Sequence, residues 1–202
     1  MLRILAGEFR SRQLQSPPDA DTTRPYIARV RESVCGMLQG WFEEATVLDL
    51  FSGVGTMGLE CVSRGARHVL MVEHDRKIFG LLEANIETLD CGDRVTAVMG
   101  DAVGSACLLR AESPVDLVFI DPPYAMLEDE GSRRRVLDQA ERCREVMADS
   151  SFLVLRSPIG PKDGDFALQG FDGPEAHRYG PKMWVLMYAP TGAGTAGDAA
   201  DD

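Results

Sequence analysis

The tetrapeptide Asp121-Pro122-Pro123-Tyr124 combines groups that could bind and activate a planar amine. Its two prolines restrict the backbone and carry no N–H donor, which leaves the Asp121 carboxylate and the Pro122 carbonyl as acceptors beside the Tyr124 ring. An amine on a heterocyclic base is a poor nucleophile because its lone pair is delocalised into the ring. Acceptors for both of its hydrogens localise that lone pair, and a carboxylate can take up the released proton. We therefore predict a catalytic motif of Asp121, Pro122, Pro123 and Tyr124.

A second segment, Val47 to Glu60, has the glycine spacing of a strand, a tight turn and the start of a helix. Gly53, Gly55 and Gly58 would let the backbone approach a ligand closely, and the N-terminus of the following helix would offer free N–H groups. The same spacing occurs in dinucleotide-binding enzymes. The segment therefore predicts a nucleotide-like cofactor without distinguishing a nicotinamide from another adenosine-containing molecule.

Acidic residues lie at the ends of four predicted strands: Asp49, Glu73, Asp101 and Asp121. Glu73 follows the first glycine by about 20 residues, the position from which a carboxylate accepts both hydroxyls of an adenosine ribose. Asp101 is placed to accept from an exocyclic amine such as adenine N6. Asp49 precedes the glycines, where a dinucleotide enzyme has no evident need of a carboxylate but a cofactor with an α-amino group would need one.

The elements that must position these residues alternate between strands and helices. Apolar runs after Thr46 and around Val69, Val98 and Val118 predict strands, and the segments between them predict helices, including one from Ile27 to about Phe42. Further along we predict a helix from about Arg133 to Met147 and two last strands. This order indicates an α/β domain with a mainly parallel sheet, whose ligands gather at the carboxyl ends of the strands.

The chain divides into three predicted parts. Residues 1–25 would form a β-hairpin and a polar linker, residues 26–190 the main domain, and residues 191–202, which are small and acidic, a disordered tail. The net charge is −11, yet residues 1–31 hold six arginines against three acidic residues. This basic end predicts phosphate contacts in an otherwise acidic chain. The arginines assigned to them are Arg3, Arg10, Arg12, Arg24, Arg29 and Arg31.

Composition sets further limits. No apolar run approaches the length of about 20 residues that a membrane helix needs, so we expect a cytoplasmic protein with no membrane partner. The five cysteines are widely scattered without a C-x-x-C pair, which predicts reduced thiols and no metal site.

Four stretches together resemble the class I S-adenosylmethionine-dependent methyltransferases, and within them the bacterial RsmD-type 16S rRNA (guanine-N2)-methyltransferases. They are RILAGEFRSRQL, RPYIARVRES, DLFSGVGTMGLECVSRGA and DPPY, and the resemblance covers about residues 1 to 190. It implies a Rossmann-like fold with a mainly parallel seven-stranded sheet, helices on both faces and a small N-terminal β-hairpin extension. It also implies methyl transfer to the guanine that the family modifies at position 966 of 16S rRNA, in the small ribosomal subunit or its assembly intermediate.

The resemblance also assigns the cofactor, S-adenosylmethionine, to particular residues. Asp49, Gly53 and Gly55 would hold its methionine part, Glu73 its ribose and Asp101 its adenine. Phe51, His74 and Ala102, which lie next to these positions, are expected to contact it as well. One departure from the family lies at Tyr26, Ile27 and Ala28, where the family usually has Thr-Thr-Asp.

Two other interpretations remain open at the level of sequence. The protein could methylate another exocyclic amine, such as adenine N6 in nucleic acid or an amine of a small molecule, because the motif at Asp121 serves either. It could also be a nonenzymatic RNA-binding module, which the intact tetrapeptide disfavours. A dehydrogenase is disfavoured by Asp49 and by the tetrapeptide, since hydride transfer requires neither. We expect a monomer.

Overall fold

The computed structural model describes residues 2–17 and 28–192. The strands are β1 (Leu2–Arg3), β2 (Gln13–Leu14), β3 (Thr46–Leu50), β4 (His68–Glu73), β5 (Val95–Met99), β6 (Val115–Ile120), β7 (Met147–Ser157), β8 (Phe171–Arg178) and β9 (Trp184–Pro190). The helices are α1 (Ala28–Met37), α2 (Thr56–Ser63), α3 (Arg76–Leu89), α4 (Ser105–Leu108), α5 (Tyr124–Glu128) and α6 (Glu130–Cys143).

Seven strands form one sheet in the order β5-β4-β3-β6-β7-β9-β8. Strands β3 to β7 pair in parallel, whereas β9 runs antiparallel to both β7 and β8. The mainly parallel seven-stranded sheet that the family resemblance implies is therefore confirmed. Strand β3 pairs with β4 on one side and β6 on the other, so the strand order reverses between β3 and β6. Open α/β sheets bind ligands at such a reversal, beyond the carboxyl ends of the strands.

Both faces of the sheet are covered by helices. All five residues of β3 are buried, and its side chains alternate between two cores: Val47 packs into the first and Leu48 into the second. The first core takes its helical side chains mainly from α1, α2 and α3, and the second from α4, α5 and α6. This burial on both faces explains why the strand sequences are continuous apolar runs.

The N-terminal hairpin is confirmed as a short antiparallel pair, β1 with β2. Its apolar residues Ile4, Phe9 and Leu14 belong to the first core. A buried carboxylate holds the hairpin in place: Glu60 of α2 accepts hydrogen bonds from the backbone N–H groups of Leu5 at 2.8 Å and Ala6 at 3.1 Å. The hairpin is therefore fastened to the helix that follows the glycine turn.

Several element boundaries differ from those predicted. Helix α1 ends at Met37, before the predicted Phe42, and Gly40 follows with a φ of +90°. Helix α6 begins at Glu130, where the Asp129 carboxylate accepts from the Ser132 N–H and caps the helix. The short helix α5, which begins directly at Tyr124, was not predicted. None of the helices in residues 2–17 and 28–192 has the length and apolar character needed to cross a membrane.

Candidate active site

A pocket of about 620 Å³ lies at the carboxyl ends of β3, β4 and β6, where the strand order reverses. Many of the residues predicted from the sequence line it: Asp49, Phe51, Gly53, Glu73, His74, Asp121, Pro122, Pro123 and Tyr124. Leu2, Ser16 and Pro17 from the N-terminal segment also reach its wall. The structure thus brings the glycine turn, two strand-end acids, the tetrapeptide and the hairpin region to a single cavity.

The glycine turn is held by the acid at the end of the next strand. Phe51, Gly53 and Gly55 have positive φ angles of 62°, 57° and 87°. At Gly55 an added Cβ would lie 2.6 Å from the end of the Leu82 side chain, which would have to shift, and the φ of 87° would strain any residue that carries a Cβ. Glu73 Oε2 accepts from the Gly53 N–H at 3.0 Å, and its Oε1 accepts from the N–H of Asp75 at 2.7 Å. These two bonds orient the Glu73 carboxylate at the pocket edge.

Asp49 is a buried carboxyl group with one backbone partner. It is 2% exposed, and its Oδ2 accepts from the N–H of Gly58 in α2 at 2.9 Å. Burial raises the pKa of Asp49 to about 8, the Gly58 hydrogen bond opposes that rise, and the charges of Asp121 and Glu73 add to it. A cationic group arriving in the pocket would stabilise the ionised form of this side chain.

Asp121 lies beside an arginine that the sequence pattern did not single out. Arg156 Nε donates to Asp121 Oδ1 at 2.5 Å, and the Arg156 guanidinium carbon lies 5.4 Å from the centre of the Tyr124 ring. Arg156 is only 4% exposed and also lines the pocket. Burial raises the pKa of Asp121 to about 6, and the charge and hydrogen bond of Arg156 oppose that rise.

A signal for Arg156 was present in the sequence. It is the charged residue at the end of the apolar run Phe152 to Leu155 in β7, and β7 pairs directly with β6, the strand that precedes Asp121. A long charged side chain on a buried strand is rarely left unpaired. The strand order was needed to identify the partner.

A buried amide, Asn85 of α3, was also missed. Its Oδ1 accepts from the Gln15 N–H at 2.7 Å, and its Nδ2 donates to the backbone oxygens of Gln15 at 3.1 Å and Val54 at 3.0 Å. Val54 lies within the glycine turn, and Gln15 directly follows β2. Asn85 therefore connects the hairpin to the turn through three hydrogen bonds.

Three predicted cofactor residues do not line the pocket: Gly55, Asp101 and Ala102. Strand β5 ends at Met99, and the Asp101 side chain beyond it is 64% exposed, with its Oδ2 at 3.8 Å from the guanidinium of Arg135. Ala102 is buried in the second core. Asp101 therefore does not line this cavity, since its side chain is largely exposed beside α6, and its contact with the adenine stays a prediction.

The predicted RNA-contacting arginines fall into two groups. Arg3, Arg10, Arg12 and Arg29 are exposed, and Arg12 Nη2 also donates to the backbone oxygen of Thr88 at 2.8 Å. Arg31 is 1% exposed, so the prediction of an RNA contact there is wrong. Its guanidinium donates to the backbone oxygen of Arg3 and lies 3.5 Å from Glu60, which fixes it inside the protein. Arg24, Tyr26, Ile27 and the tail beyond residue 192 lie outside the described residues.

The fold and the pocket define a class I methyltransferase. A solved structure described as the putative methyltransferase yhhF from Escherichia coli matches with a TM-score of 0.77 and 26% identity, covering 94% of this chain and 97% of that one. A putative methylase from Haemophilus influenzae has the same fold, with a TM-score of 0.71 and 22% identity over 94% of this chain and 98% of the other. The class predicted from the sequence is thereby confirmed.

Sequence comparison gives the family. Residues 2–157 match the family described as conserved hypothetical protein 95. The Escherichia coli protein named ribosomal RNA small subunit methyltransferase D is 34% identical over 161 residues, which cover 78% of this chain and 75% of that protein. The Bacillus subtilis protein named putative rRNA methyltransferase YlbH is 31% identical over 124 residues, or 61% of this chain and 67% of the relative. The chain belongs to this RsmD-type family of methyltransferases.

Proposed function

We propose that this protein transfers a methyl group from S-adenosylmethionine to the exocyclic N2 amine of a guanine in 16S rRNA of the small ribosomal subunit. The observation that carries the proposal is the shared pocket, which is lined both by the strand-end acids Asp49 and Glu73 and by the Asp121–Tyr124 tetrapeptide. Dinucleotide oxidoreductases need the glycine turn but neither Asp49 nor the tetrapeptide. Membership of the RsmD-type family supports the rRNA substrate.

The residues of the pocket fit the cofactor. Asp49 is a buried carboxyl group whose pKa is raised, and an α-ammonium group would supply the cation that stabilises its charge. The Glu73 carboxylate is already oriented by two backbone N–H groups and has lone pairs left for ribose hydroxyls. Phe51 and Gly53 would complete the contacts, with His74 beside Glu73. When bound, S-adenosylmethionine supplies an electrophilic methyl group on a sulfonium ion.

The tetrapeptide would prepare the amine for that methyl group. The two N–H groups of the guanine amine would donate hydrogen bonds to the ionised Asp121 carboxylate and the Pro122 carbonyl, which localises the nitrogen lone pair. Tyr124 would stack against the base and keep the amine in the plane of its acceptors. As the nitrogen gains a methyl group it acquires a positive charge, and Asp121 would take up the proton that then leaves the nitrogen.

The hairpin would bind RNA next to this pocket. Arg3 and Arg10 are exposed, Leu2 and Ser16 reach the pocket wall, and the rest of the chain is strongly acidic. Phosphate contacts from the hairpin would hold the RNA near the tetrapeptide without reading its sequence. Arg29 at the start of α1 adds an exposed cation to the same N-terminal part of the chain.

Mapping of methylated nucleosides tests the proposal. The purified protein, labelled S-adenosylmethionine and small subunits from cells lacking the enzyme would be incubated, and the RNA digested and analysed by mass spectrometry. We expect label in N2-methylguanosine at one site, the position that becomes unmethylated when the protein is deleted. Label in N6-methyladenosine would instead assign the protein to the adenine-modifying alternative, and absence of label in any RNA would refute the proposed substrate.

A further inference from the structure

Arg156 contacts two side chains of the tetrapeptide, those of Asp121 and Tyr124. Its Nε–H group donates to Asp121 Oδ1 at 2.5 Å, and its guanidinium lies 5.4 Å from the centre of the Tyr124 ring. It extends from the carboxyl end of β7, next to the strand that leads into Asp121. A single side chain therefore bridges the acceptor and the stacking ring of the proposed site.

The location of this ion pair argues against a role in stability alone. A buried ion pair contributes little net stability, because the desolvation of both charges offsets their attraction. Arg156 and Asp121 are largely buried, yet both line the pocket and not the centre of either core. A pair that gains little for folding but lies at the reactive carboxylate is more readily explained by its effect on that carboxylate.

The pocket that Asp121 lines contains several other acidic groups. Besides Asp121 it is lined by Asp49 of β3, Glu73 of β4, Asp75 after β4 and Glu128 of α5, and by the imidazole of His74. The cations that line it are Arg156 and the exposed Lys182, whose Nζ lies 3.6 Å from Glu128 Oε1. Among the described groups that face the pocket, Arg156 is thus the cation in direct contact with Asp121.

We propose that Arg156 is a positioning residue for methyl transfer: it keeps the Asp121 carboxylate charged and fixes its orientation, together with that of the Tyr124 ring, for the incoming amine. The inference rests on the proposed function, because the amine is the group that Asp121 would receive. It adds to that function a residue outside the tetrapeptide and outside the cofactor contacts. It also explains how a carboxylate in a buried, acidic pocket can act as an acceptor near neutral pH.

The pH dependence of single-turnover methyl transfer tests this role. Arg156→Met removes the charge at similar length, and Arg156→Lys keeps the charge but removes the planar guanidinium. The carboxylate must be ionised to accept the amine, so removal of the cation should raise the pKa of Asp121 and shift the acidic limb of the rate profile to higher pH. For a shift of about one unit from the Asp121 pKa of about 6, we expect Arg156→Met to be about 3-fold slower than the native enzyme at pH 6.5 and about 10-fold slower at pH 5, and to recover most of that loss at pH 8.5. Arg156→Lys should show a smaller shift.

A control and a direct titration make the test specific. Arg144→Met removes another ion-paired arginine, whose Nη2 lies 2.6 Å from Asp149 Oδ1 away from the pocket, and should leave the profile unchanged. Carbon-13 NMR of labelled aspartate carboxyls, assigned with Asp121→Asn, should show a higher pKa for Asp121 in Arg156→Met without any RNA present. Calorimetry should show unchanged cofactor affinity.

The outcomes separate the inference from the function it rests on. If the native enzyme methylates RNA but both the NMR titration and the pH profile are unaltered in Arg156→Met, the positioning role is refuted and the proposed function stands. If the variant raises KM for RNA at constant kcat and constant profile, Arg156 binds RNA and the inference is equally overturned. If the native protein methylates no RNA, the proposed function fails, and the positioning role fails with it even where the NMR shift is seen.

Discussion

Asp49 shows how a binding site can reduce the stability of the empty protein. The folded protein buries this carboxyl group completely, and the Gly58 N–H alone does not offset the removal of water, so its pKa rises to about 8 from an ordinary value of 3.8. Buried ionisable side chains of this kind are common in sites that bind a charged ligand, because the bound ligand supplies the opposite charge that the empty site lacks.

The first prediction follows from that pKa. Between about pH 4 and pH 8 the folded protein keeps a proton on Asp49 that the unfolded chain has released, so this residue makes the protein less stable as pH rises through that window. Asp49→Asn keeps an acceptor for Gly58 but cannot ionise. Without cofactor, thermal unfolding at pH 8 should show the variant to be more stable than the native protein by about 1–3 kcal/mol, and the difference should shrink at pH 5.

The second effect of Asp49→Asn is on cofactor affinity, which should fall although the stability of the empty protein rises. Calorimetry with S-adenosylmethionine should show at least about 10-fold weaker affinity for Asp49→Asn, since a charge-assisted hydrogen bond contributes about 1.5–3 kcal/mol. Asp138→Asn, at a half-exposed site on α6, is the matched control and should alter neither quantity. An Asp49→Asn protein with native affinity would show that this residue does not hold the cofactor.

Three acidic residues of the pocket could be identified from the sequence because each lies at the end of a predicted strand. Asp49, Glu73 and Asp121 follow directly from the strand pattern and lie at the pocket. Arg156 could not be identified in the same way, because its partner depends on which strands are neighbours. The burial of Arg31 was not predicted, because its position off the apolar stripe of α1 indicates an exposed side chain. In the structure its guanidinium is buried 3.5 Å from Glu60 of α2.

Among the elements, helix α2 contacts both the cofactor pocket and the hairpin proposed to bind RNA. Its N-terminal part follows the glycine turn, and its Glu60 accepts from the backbone of Leu5 and Ala6 and from Arg64 Nε at 2.9 Å. Glu60 is fully buried, with Arg31 beside it. One helix therefore supports the pocket at one end and the arginine-bearing hairpin along its side.

The second prediction is that Glu60→Ala releases the hairpin. It leaves two backbone N–H groups without their acceptor and the buried Arg31 without its partner charge, a change that costs about 3–5 kcal/mol. Chemical denaturation should show that decrease in stability, and hydrogen exchange should show faster exchange at Leu5 and Ala6 than elsewhere. Glu87→Ala, on an exposed face of α3, is the control and should have little effect. Native stability and unchanged exchange in Glu60→Ala would contradict the anchoring role.

Elements with a clear apolar pattern were predicted, whereas a short helix and the end of one strand were missed. The strands β3, β4 and β6 follow from apolar runs between turn residues. Helix α5 did not, because it begins at Tyr124 directly after two prolines and is only five residues long. The end of β5 at Met99 was also missed, and with it the outward position of Asp101.

Across the whole molecule, charge separates the hairpin from the rest of the chain. The protein has a net charge of −11, and the arginines at residues 3, 10 and 12 of the hairpin region are exposed, although Arg12 also donates to the Thr88 backbone oxygen. An acidic body repels an RNA backbone except where such a basic surface faces it. The α/β fold class and the basic end were evident from the sequence because each depends on composition and periodicity over long segments, whereas the seven-stranded sheet was implied by the family resemblance.

The third prediction concerns this basic surface. Replacing Arg10 and Arg12 together with Ala should leave cofactor affinity unchanged but weaken binding to small subunits. It should also flatten the salt dependence of binding by about one unit of log–log slope for each phosphate that the variant no longer neutralises. Filter binding at several salt concentrations measures both quantities.

The matched control for the hairpin variant is Arg110→Ala combined with Arg134→Ala. It removes the same charge from other exposed positions and should alter the slope less. An unchanged slope in the hairpin variant would place RNA recognition elsewhere on the domain.

The proposed mechanism requires one pocket that both binds the cofactor and prepares an amine at Asp121. The decisive comparison is between Asp121→Ala and the native protein in two quantities: S-adenosylmethionine affinity by calorimetry, and single-turnover transfer of labelled methyl to small subunits. We expect affinity within a few-fold of native and transfer slower by at least about 100-fold, the contribution of one positioned acid–base group. Transfer by Asp121→Ala at a near-native rate would contradict this mechanism.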